Sequence, residues 1–343
     1  MAVATPQENL QPFDFRAGIR TQLTRILRAP EAEAYAALLD GVTPDSVWDV
    51  AHPVHRLEGP EAIWVEFWSP IRSALAHAYR RDELFFGGRN TRAQGGQWIA
   101  ALSHYVGRFE RPLFGIPPSD RLVFLRSGAF FRIEDGRIAE AKIILDLPDL
   151  MRQAGRFPLP RELGTEMLFP GPASHDGVLP AGDNGADTLR IVEGMLGDLH
   201  HYDPVTAASY KQTGEHGYWH DDMMWYGPGG IGSNYRWSGF VDHHRAAFLT
   251  AFPDRKGGNH YCRIGDGDYA AVSGWPSMTM THTGAYLGVP ATGKPLTLRV
   301  MDFYHVTRGK ILENWVCLDY GDLFHQMGID LIARAAEMKP AWS

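Results

Sequence analysis

Residues 295–306, PLTLRVMDFYHV, hold the side chain whose type and setting most suggest chemistry. In an extended chain alternate side chains share a face. Leu296, Leu298, Val300, Tyr304 and Val306 therefore form one row, and Asp302 falls inside it. Thr297, Arg299, Met301, Phe303, His305 and Thr307 take the other face. A carboxylate in an apolar row is costly to desolvate, and burial favours its protonated form. A carboxyl perturbed in this way can take or give a proton near neutral pH. The preceding segment, SMTMTHTG, sets Met278, Met280 and His282 on one face. A histidine there can shuttle a proton or hydrogen-bond a carbonyl oxygen. Asp302 and His282, with Tyr304 as a donor to an enolate oxygen, describe proton abstraction next to a carbonyl.

The chain supplies its own control, because it contains a duplication. Residues 115–155 align without a gap on residues 288–328, and 14 of the 41 positions are identical. A period of 173 residues is far longer than that of a solenoid repeat and marks a duplicated domain. The partner of Asp302 in the first copy is Ala129, and the partner of His282 is Phe109. The scaffold therefore needs neither the acid nor the histidine. Arg126/Arg299, Asp146/Asp319 and Gln153/Gln326 are kept by both copies and read as scaffold. Asp146 and Asp319 each have a second Asp three residues on, the pattern of a helix N-cap with negative charge in the first turn.

The elements that position these residues follow one order twice. Ile19, Leu23, Ile26 and Leu27 mark a helix that stops near Pro30, residues 32–39 form a short second one, and Ile63, Phe67, Ile71 and Leu75 mark a third. From Trp98 the pattern turns to strand, with a tight hairpin at Asp135-Gly136 and a closing helix at 146–155. Residues 156–185, rich in Pro, Gly and small polar residues, read as a linker. The order then restarts. Leu189, Val192, Met195, Leu196 and Leu199 mark a helix, 203–212 a shorter one, and Phe240, Ala247, Phe248 and Ala251 a third. His243 and His244 are expected to face solvent. Strands follow from about Tyr261, with a hairpin at Arg308-Gly309 and a closing helix at 319–328. Three helices followed by long antiparallel strands describe an α+β unit, and a sheet curled around the helices leaves a concave pocket. The boundaries read as a first domain at 1–160, a linker at 161–188 and a second domain at 189–343.

Composition narrows the function classes. A net charge of −7 and a pI near 6.1 give no basic footprint for nucleic acid or an anionic membrane. Cys262 and Cys317 cannot form a disulfide framework and read as core filler. Residues 1–15 lack the pattern of a secretory signal, and no apolar run approaches the length of a bilayer span, so a cytoplasmic location is expected. Ten tryptophans and 13 tyrosines suit the walls of a small-molecule pocket. HExxH, CxxC, GxxxxGK[ST] and GxSxG are all absent, and the sequence implies no metal and no nucleotide cofactor.

WYGPGGIG (225–232), THTGAYLGVPATGK (281–294), MDFYHV (301–306) and GKILENWVCLDYGDLFHQMG (309–328) resemble the SnoaL-like polyketide cyclases, within the broader nuclear transport factor 2-like group. RLEGPEAI, GIPPSDR and EDGRI give the first half a more divergent likeness. The resemblance implies two tandem cone-shaped α+β barrels, each a curved sheet wrapped on helices. It also implies acid–base chemistry without metal or cofactor on a small hydrophobic carbonyl compound. The family's pocket His and Asp map onto His282 and Asp302. Trp219, His220 and Trp225 fall in the segment that borders the pocket mouth in such folds, and Trp315 and Met280 are further candidates for the wall. The first domain reads as a degenerate copy that pairs with the second as an intramolecular pseudo-dimer, with surface left for a homodimer.

Two other readings carry different expectations. Epoxide-hydrolase-like water addition needs an Asp–Arg–Asp set, and Arg299 falls on the wrong strand face for it. A non-catalytic binding protein for a small hydrophobic molecule needs no titrating pair. On the enzyme reading, Asp302→Asn abolishes turnover and leaves the melting temperature nearly unchanged.

Overall fold

The computed structural model describes residues 14–199, 201–203, 209 and 211–342. In its first half α1 (Phe15–Arg28) and α2 (Glu31–Gly41) lead into β1 (Val42–Val50) and β2 (His55–Glu58). Next come α3 (Gly59–Ile63), a π segment (Trp64–Trp68), α4 (Ser69–Ala74) and four strands: β3 (Leu75–Arg89), β4 (Gln97–Phe109), β5 (Leu122–Glu134) and β6 (Arg137–Leu145). α5 (Leu147–Gln153) closes the unit. The second half repeats the plan with α6 (Gly185–Asp198), β7 (Trp219–Tyr226), β8 (Asn234–Tyr235), α7 (Arg236–Phe240), a π segment (Val241–Arg245) and α8 (Ala246–Ala251). β9 (Cys262–Asp266), β10 (Tyr269–Thr281), β11 (Pro295–Thr307), β12 (Lys310–Leu318), α9 (Tyr320–Met327) and α10 (Leu331–Glu337) complete it. The short helix expected at 203–212 lies largely outside the described residues.

Each half builds one six-stranded sheet, in the orders β2-β1-β6-β5-β4-β3 and β8-β7-β12-β11-β10-β9. β1 pairs parallel with β6 and β7 with β12, while the other pairs are antiparallel. Both hairpins use two successive residues at positive φ, Asp135 (47°) with Gly136 (76°) and Arg308 (49°) with Gly309 (74°). That geometry matches the strand twist. α1 buries the expected Ile19, Leu23, Ile26 and Leu27, and Arg72 bonds the carbonyls of Ile26, Leu27 and Ala29 at its C-terminus. These are two α+β domains in tandem, each a curved sheet wrapped on its helices.

Five strands, β1, β2, β3, β7 and β8, come before the points where the sequence pattern turns to strand. β3 hides its character because Arg80, Asp82 and Glu83 interrupt any apolar alternation. Their side chains are nevertheless buried, and they pair with one another, with Ser103 and with His104. β1 and β7 each carry an irregular pairing with the last long strand of their unit, which blurs the period of two.

The two sheets pack back to back. Met301, Phe303, Trp315 and Cys317 of the second face Phe86, Trp98, Leu102 and Phe130 of the first. Phe130 meets Phe303, its own counterpart, with ring centroids 5.8 Å apart. A residue touching its own copy marks a two-fold-like contact, as in an isologous dimer. The paired aspartates act across this junction as well as capping helices. Asp146 accepts from Arg126 (2.9 Å) and from the amide of Gly229 (3.0 Å), and Asp319 from Arg299 (2.7 Å) and the amide of His52 (3.3 Å). The Pro/Gly-rich connection is bound along its course, unlike a free linker. Thr165 and Ser233 exchange backbone bonds of 2.9 and 2.8 Å, Gly177 and Leu179 flank Phe85, and Pro170 accepts the Trp315 indole at 3.0 Å.

Candidate active site

On its concave face the second sheet encloses a cavity of about 380 Å³ against α6, α7 and α8. Leu298, Val300, Asp302 and Tyr304 of β11 form its floor with Asn314, Val316 and Leu318 of β12. The alternation read from the sequence puts Asp302 there. Its carboxyl is partly accessible through the cavity and otherwise enclosed, and burial pushes its pKa from 3.8 up to about 7. The opposing influences are hydrogen bonds from Asn314 and Tyr304 rather than a neighbouring cation. Burial and the adjacent Asp302 raise the Tyr304 phenol well above its ordinary value, so it stays a donor. Trp219 and Trp225 of β7 stand in the wall.

The opposite wall is the broken helix α7–π–α8, which presents Trp237, Phe240, His244 and Phe248. Four residues of α-helix turn about 400°, so such a row drifts by about 40° per step. The wider π turn between Val241 and Arg245 removes part of that drift. His244 stacks on Trp225 at 4.6 Å and 15°, with Phe240 at 5.4 Å and Phe248 at 5.6 Å. Burial, then Arg245 and Arg255, lower its pKa to about 3, so the ring is neutral. Its Nδ1 is buried without a partner. Polar groups continue along one side of the cavity as Arg245, Arg255, Arg263, Glu193 and His260. Arg263 is engaged by Glu193 at 3.1 Å and by His260 Nδ1 at 3.1 Å.

The first unit has the same frame with apolar side chains in these places. Strand register sets Ala129, Phe131 and Ala141 where the second unit has Asp302, Tyr304 and Asn314. The Asp302–Val272–Arg263 row across the second sheet corresponds to Ala129–Ala101–Phe85. In the π segments Phe67 and Trp68 take the places of His244 and Arg245. Trp48, the counterpart of Trp225, packs against Phe67, Trp68 and Phe131 at 5.5, 6.2 and 6.2 Å. Aromatic rings occupy the volume that is open in the second unit.

Several expected site residues lie elsewhere. His282 is fully buried past the end of β10, with its amide on Lys294 O at 3.0 Å and its Nδ1 at 3.1 Å from Thr292 Oγ1. Lys294 is eight residues from Asp302 along the chain, so the two side chains stand on the order of 25 Å apart. Its ring packs on Phe252 at 5.5 Å, and burial lowers its pKa. Met280 pairs with Leu296 below the cavity, and Met278, opposite Leu298, is the methionine in the wall. His220 points outward from β7, with Nε2 2.8 Å from Thr307 O. Trp315 faces the other sheet and stacks on Tyr226 at 5.2 Å, since alternation gives the cavity to Asn314 and Val316. His244, expected in solvent, is the cavity histidine. The i, i+4, i+8 row Phe240, His244, Phe248 carries that signal in the sequence, and the 173-residue offset pairs Asn314 with Ala141. Arg299 spends its guanidinium on Asp319 (2.7 Å) and Asp322 (3.8 Å), away from the cavity. Among the described residues no three His, Cys, Asp or Glu side chains cluster as metal ligands. Among them, too, no helix is long and apolar enough to cross a membrane.

Fold and site together define a doubled α+β cone in which one copy keeps an open cavity with a carboxyl on its floor. The chain belongs to the SnoaL-like polyketide cyclase family, whose model matches residues 89–154 and 211–327, a little over half of the sequence and part of each unit. Family membership supports a general role as a cyclase. The chain is similar to a solved structure from Jannaschia Sp. CCS1, provisionally named a SnoaL-like polyketide cyclase (16% identity, 44% of this chain and 95% of that one, TM-score 0.32). It is also similar to a protein with ketosteroid isomerase-like fold from Catenulispora acidiphila DSM 44928 (15%, 40% and 92%, TM-score 0.31). A third is IdmH from Streptomyces antibioticus, provisionally named a polyketide cyclase (20%, 42% and 98%, TM-score 0.27). A comparison with curated proteins gives no match.

Proposed function

We propose that the chain is an acid–base enzyme acting on a small hydrophobic carbonyl compound, with its working pocket in the domain spanning 189–343. The observation that carries this reading is a carboxyl set in an apolar cavity at a position where the other copy has Ala129. Asp302 takes a proton from a carbon next to the substrate carbonyl. The electron pair left behind moves onto the carbonyl oxygen, where the Tyr304 hydroxyl and the His244 ring donate hydrogen bonds to the enolate. Neutral His244 keeps its buried, unpartnered Nδ1 as the lone pair and Nε2–H as the donor, because an orphaned N–H is the costlier state. In ring closure the enolate carbon then bonds to a second carbonyl carbon, and Asp302 returns its proton to the new alkoxide. Asn314 holds the Asp302 carboxyl in place. His282 has no part in this scheme.

The first domain, 1–160, is on this reading a filled copy that serves as the second's partner in an intramolecular pseudo-dimer. Residues 161–188 strap the two together. The test is exchange of α-hydrogens: the native protein should wash deuterium from D₂O into a small aryl ketone. The Asp302→Asn variant should not, and undiminished exchange in that variant refutes the assignment.

A further inference from the structure

Arg263 of β9 and His260 just before it line the cavity, and β9 is the last strand of its sheet. Its outward backbone groups have no strand of their own unit to pair with, and an unpaired edge frays. The first domain supplies the missing partner. The Asn90 carboxamide donates to Tyr261 O at 3.0 Å and accepts from the Arg263 amide at 3.0 Å. The Thr91 amide donates to Arg263 O at 3.1 Å, and Arg92 Nε donates to His260 O at 3.2 Å. Farther along, Asp266 accepts from the Gly87 amide at 2.8 Å and from Arg16 at 2.7 Å. β3 comes this close because Gly88 has no side chain: a Cβ there would stand 2.8 Å from Gly265 O. Asn90 is 3% exposed, and its Oδ1 also accepts from the Arg92 amide at 3.0 Å, which fixes the carboxamide's orientation. In the first unit the matching edge residue, Phe85, has its amide and carbonyl taken by Gly177 and Leu179 at 2.9 and 2.8 Å. The frame therefore needs a partner at this edge, but not one from the other domain. A carboxamide that bonds both a C=O and an N–H of one strand stands in for a neighbouring strand.

We infer that Asn90 is a positioning residue for the reaction in the other domain, holding Arg263 in the cavity wall where its charge reaches Tyr304. This inference rests on the reading of the cavity as a reaction site. Arg263 shares a row with Asp302 two strands away, on the order of 10 Å across the sheet. Burial and Asp302 raise the Tyr304 phenol, and the Arg263 cation opposes them. A nearby cation makes the phenol a stronger donor to an enolate oxygen. Glu193 and His260 Nδ1, each at 3.1 Å, orient the guanidinium, whereas Asn90 and Thr91 hold the backbone that carries it. The first domain is thus a working part of the second's site although its own cavity is filled with aromatic rings.

The experiment compares full-length Asn90→Ala with the native protein in two measurements. Amide hydrogen exchange, read by mass spectrometry, should show residues 260–266 losing about tenfold or more of their protection while β11 and β12 keep theirs. Deuterium exchange into the aryl ketone should fall about tenfold in kcat with KM within about threefold, because the donor acts on the enolate rather than on the bound ketone. In an Arg263→Met background, Asn90→Ala should cost less than about twofold, since no cation is left to position. Asn90→Asp keeps the acceptor for the Arg263 amide and loses the donor to Tyr261 O; it should fall between native and Asn90→Ala in both measurements. Unchanged protection in Asn90→Ala overturns the clamp. Lost protection with kcat held, or a loss that simply adds to that of Arg263→Met, overturns its part in the reaction. Ketone exchange persisting in Asp302→Asn sinks the catalytic assignment alone, and the protection of residues 260–266 still reads the clamp.

Discussion

Asp302→Asn should make the protein more stable above neutral pH while it stops proton transfer. The Asp302 carboxyl has its pKa raised from 3.8 to about 7 by burial. Its folded form therefore binds a proton more tightly than its unfolded form. Between pH 4 and 7 the native state keeps the proton that the unfolded chain has lost, so stability falls as pH rises through that window and levels off above it. At 1.36 kcal/mol per pKa unit, a difference of about 3 gives a ceiling of about 4 kcal/mol at pH 8. Asparagine resembles the protonated acid in shape and carries no charge to desolvate. The stability difference between variant and native protein should be near zero at pH 4, grow toward pH 7, and then hold. Urea unfolding of both proteins from pH 4.5 to 8.5 measures it, and taking the difference removes every titrating group they share. A gain in stability is thus expected where the sequence alone suggests an unchanged melting temperature. A flat difference across the series would show that Asp302 is not held in a desolvated site, and the base assignment would fall with it.

Three further substitutions borrow residues from one unit to test the other. His244→Phe installs the residue found at Phe67. It should leave stability within about 1 kcal/mol, because an unpartnered buried nitrogen is removed, while ketone exchange measured by mass spectrometry falls about 100-fold. Tyr304→Phe, the residue at Phe131, deletes a hydrogen bond that favours the Asp302 carboxylate. The pH midpoint of exchange should rise by about 1 or more, and a downward move would contradict the geometry. Ala129→Asp places a carboxyl among Phe131, Ala141 and Trp48 with no amide or phenol to receive it. It should cost about 4 kcal/mol at pH 8 and much less at pH 5, read from denaturation midpoints.

The sequence carried the large features because they depend on repetition and strict periods. The 173-residue offset exposes two units, and strand alternation places Asp302 on the cavity floor with Tyr304 beside it. What it hid turns on departures from those periods. His282 lies past the end of β10 beside Lys294, eight residues along from Asp302, so a count by twos gives its face but not its distance from the pocket. A π segment shifts the helix row, and only the spacing of Phe240, His244 and Phe248 discloses that a histidine faces inward. β3 stayed concealed because its charges are neutralised by neighbours that only the folded chain brings together.

Comparing the copies remains a sound guide, although one offset misses the histidine that lines the cavity. An ungapped alignment is valid only within one run of unbroken register. Asp302 over Ala129 lies inside such a run, whereas the helices obey a different offset: the π segments begin at Trp64 and Val241. Matched element by element, the substitutions form one pattern, with Asp302, Tyr304, Asn314, His244, Arg245 and Arg263 standing where the first unit has Ala129, Phe131, Ala141, Phe67, Trp68 and Phe85. Six changes from apolar to polar, gathered around one cavity, are not needed to hold the frame, because the other unit holds it without them. Each adds a desolvation cost that the apolar version avoids. A cost borne together at one place and absent at its twin is what an active site imposes on its fold.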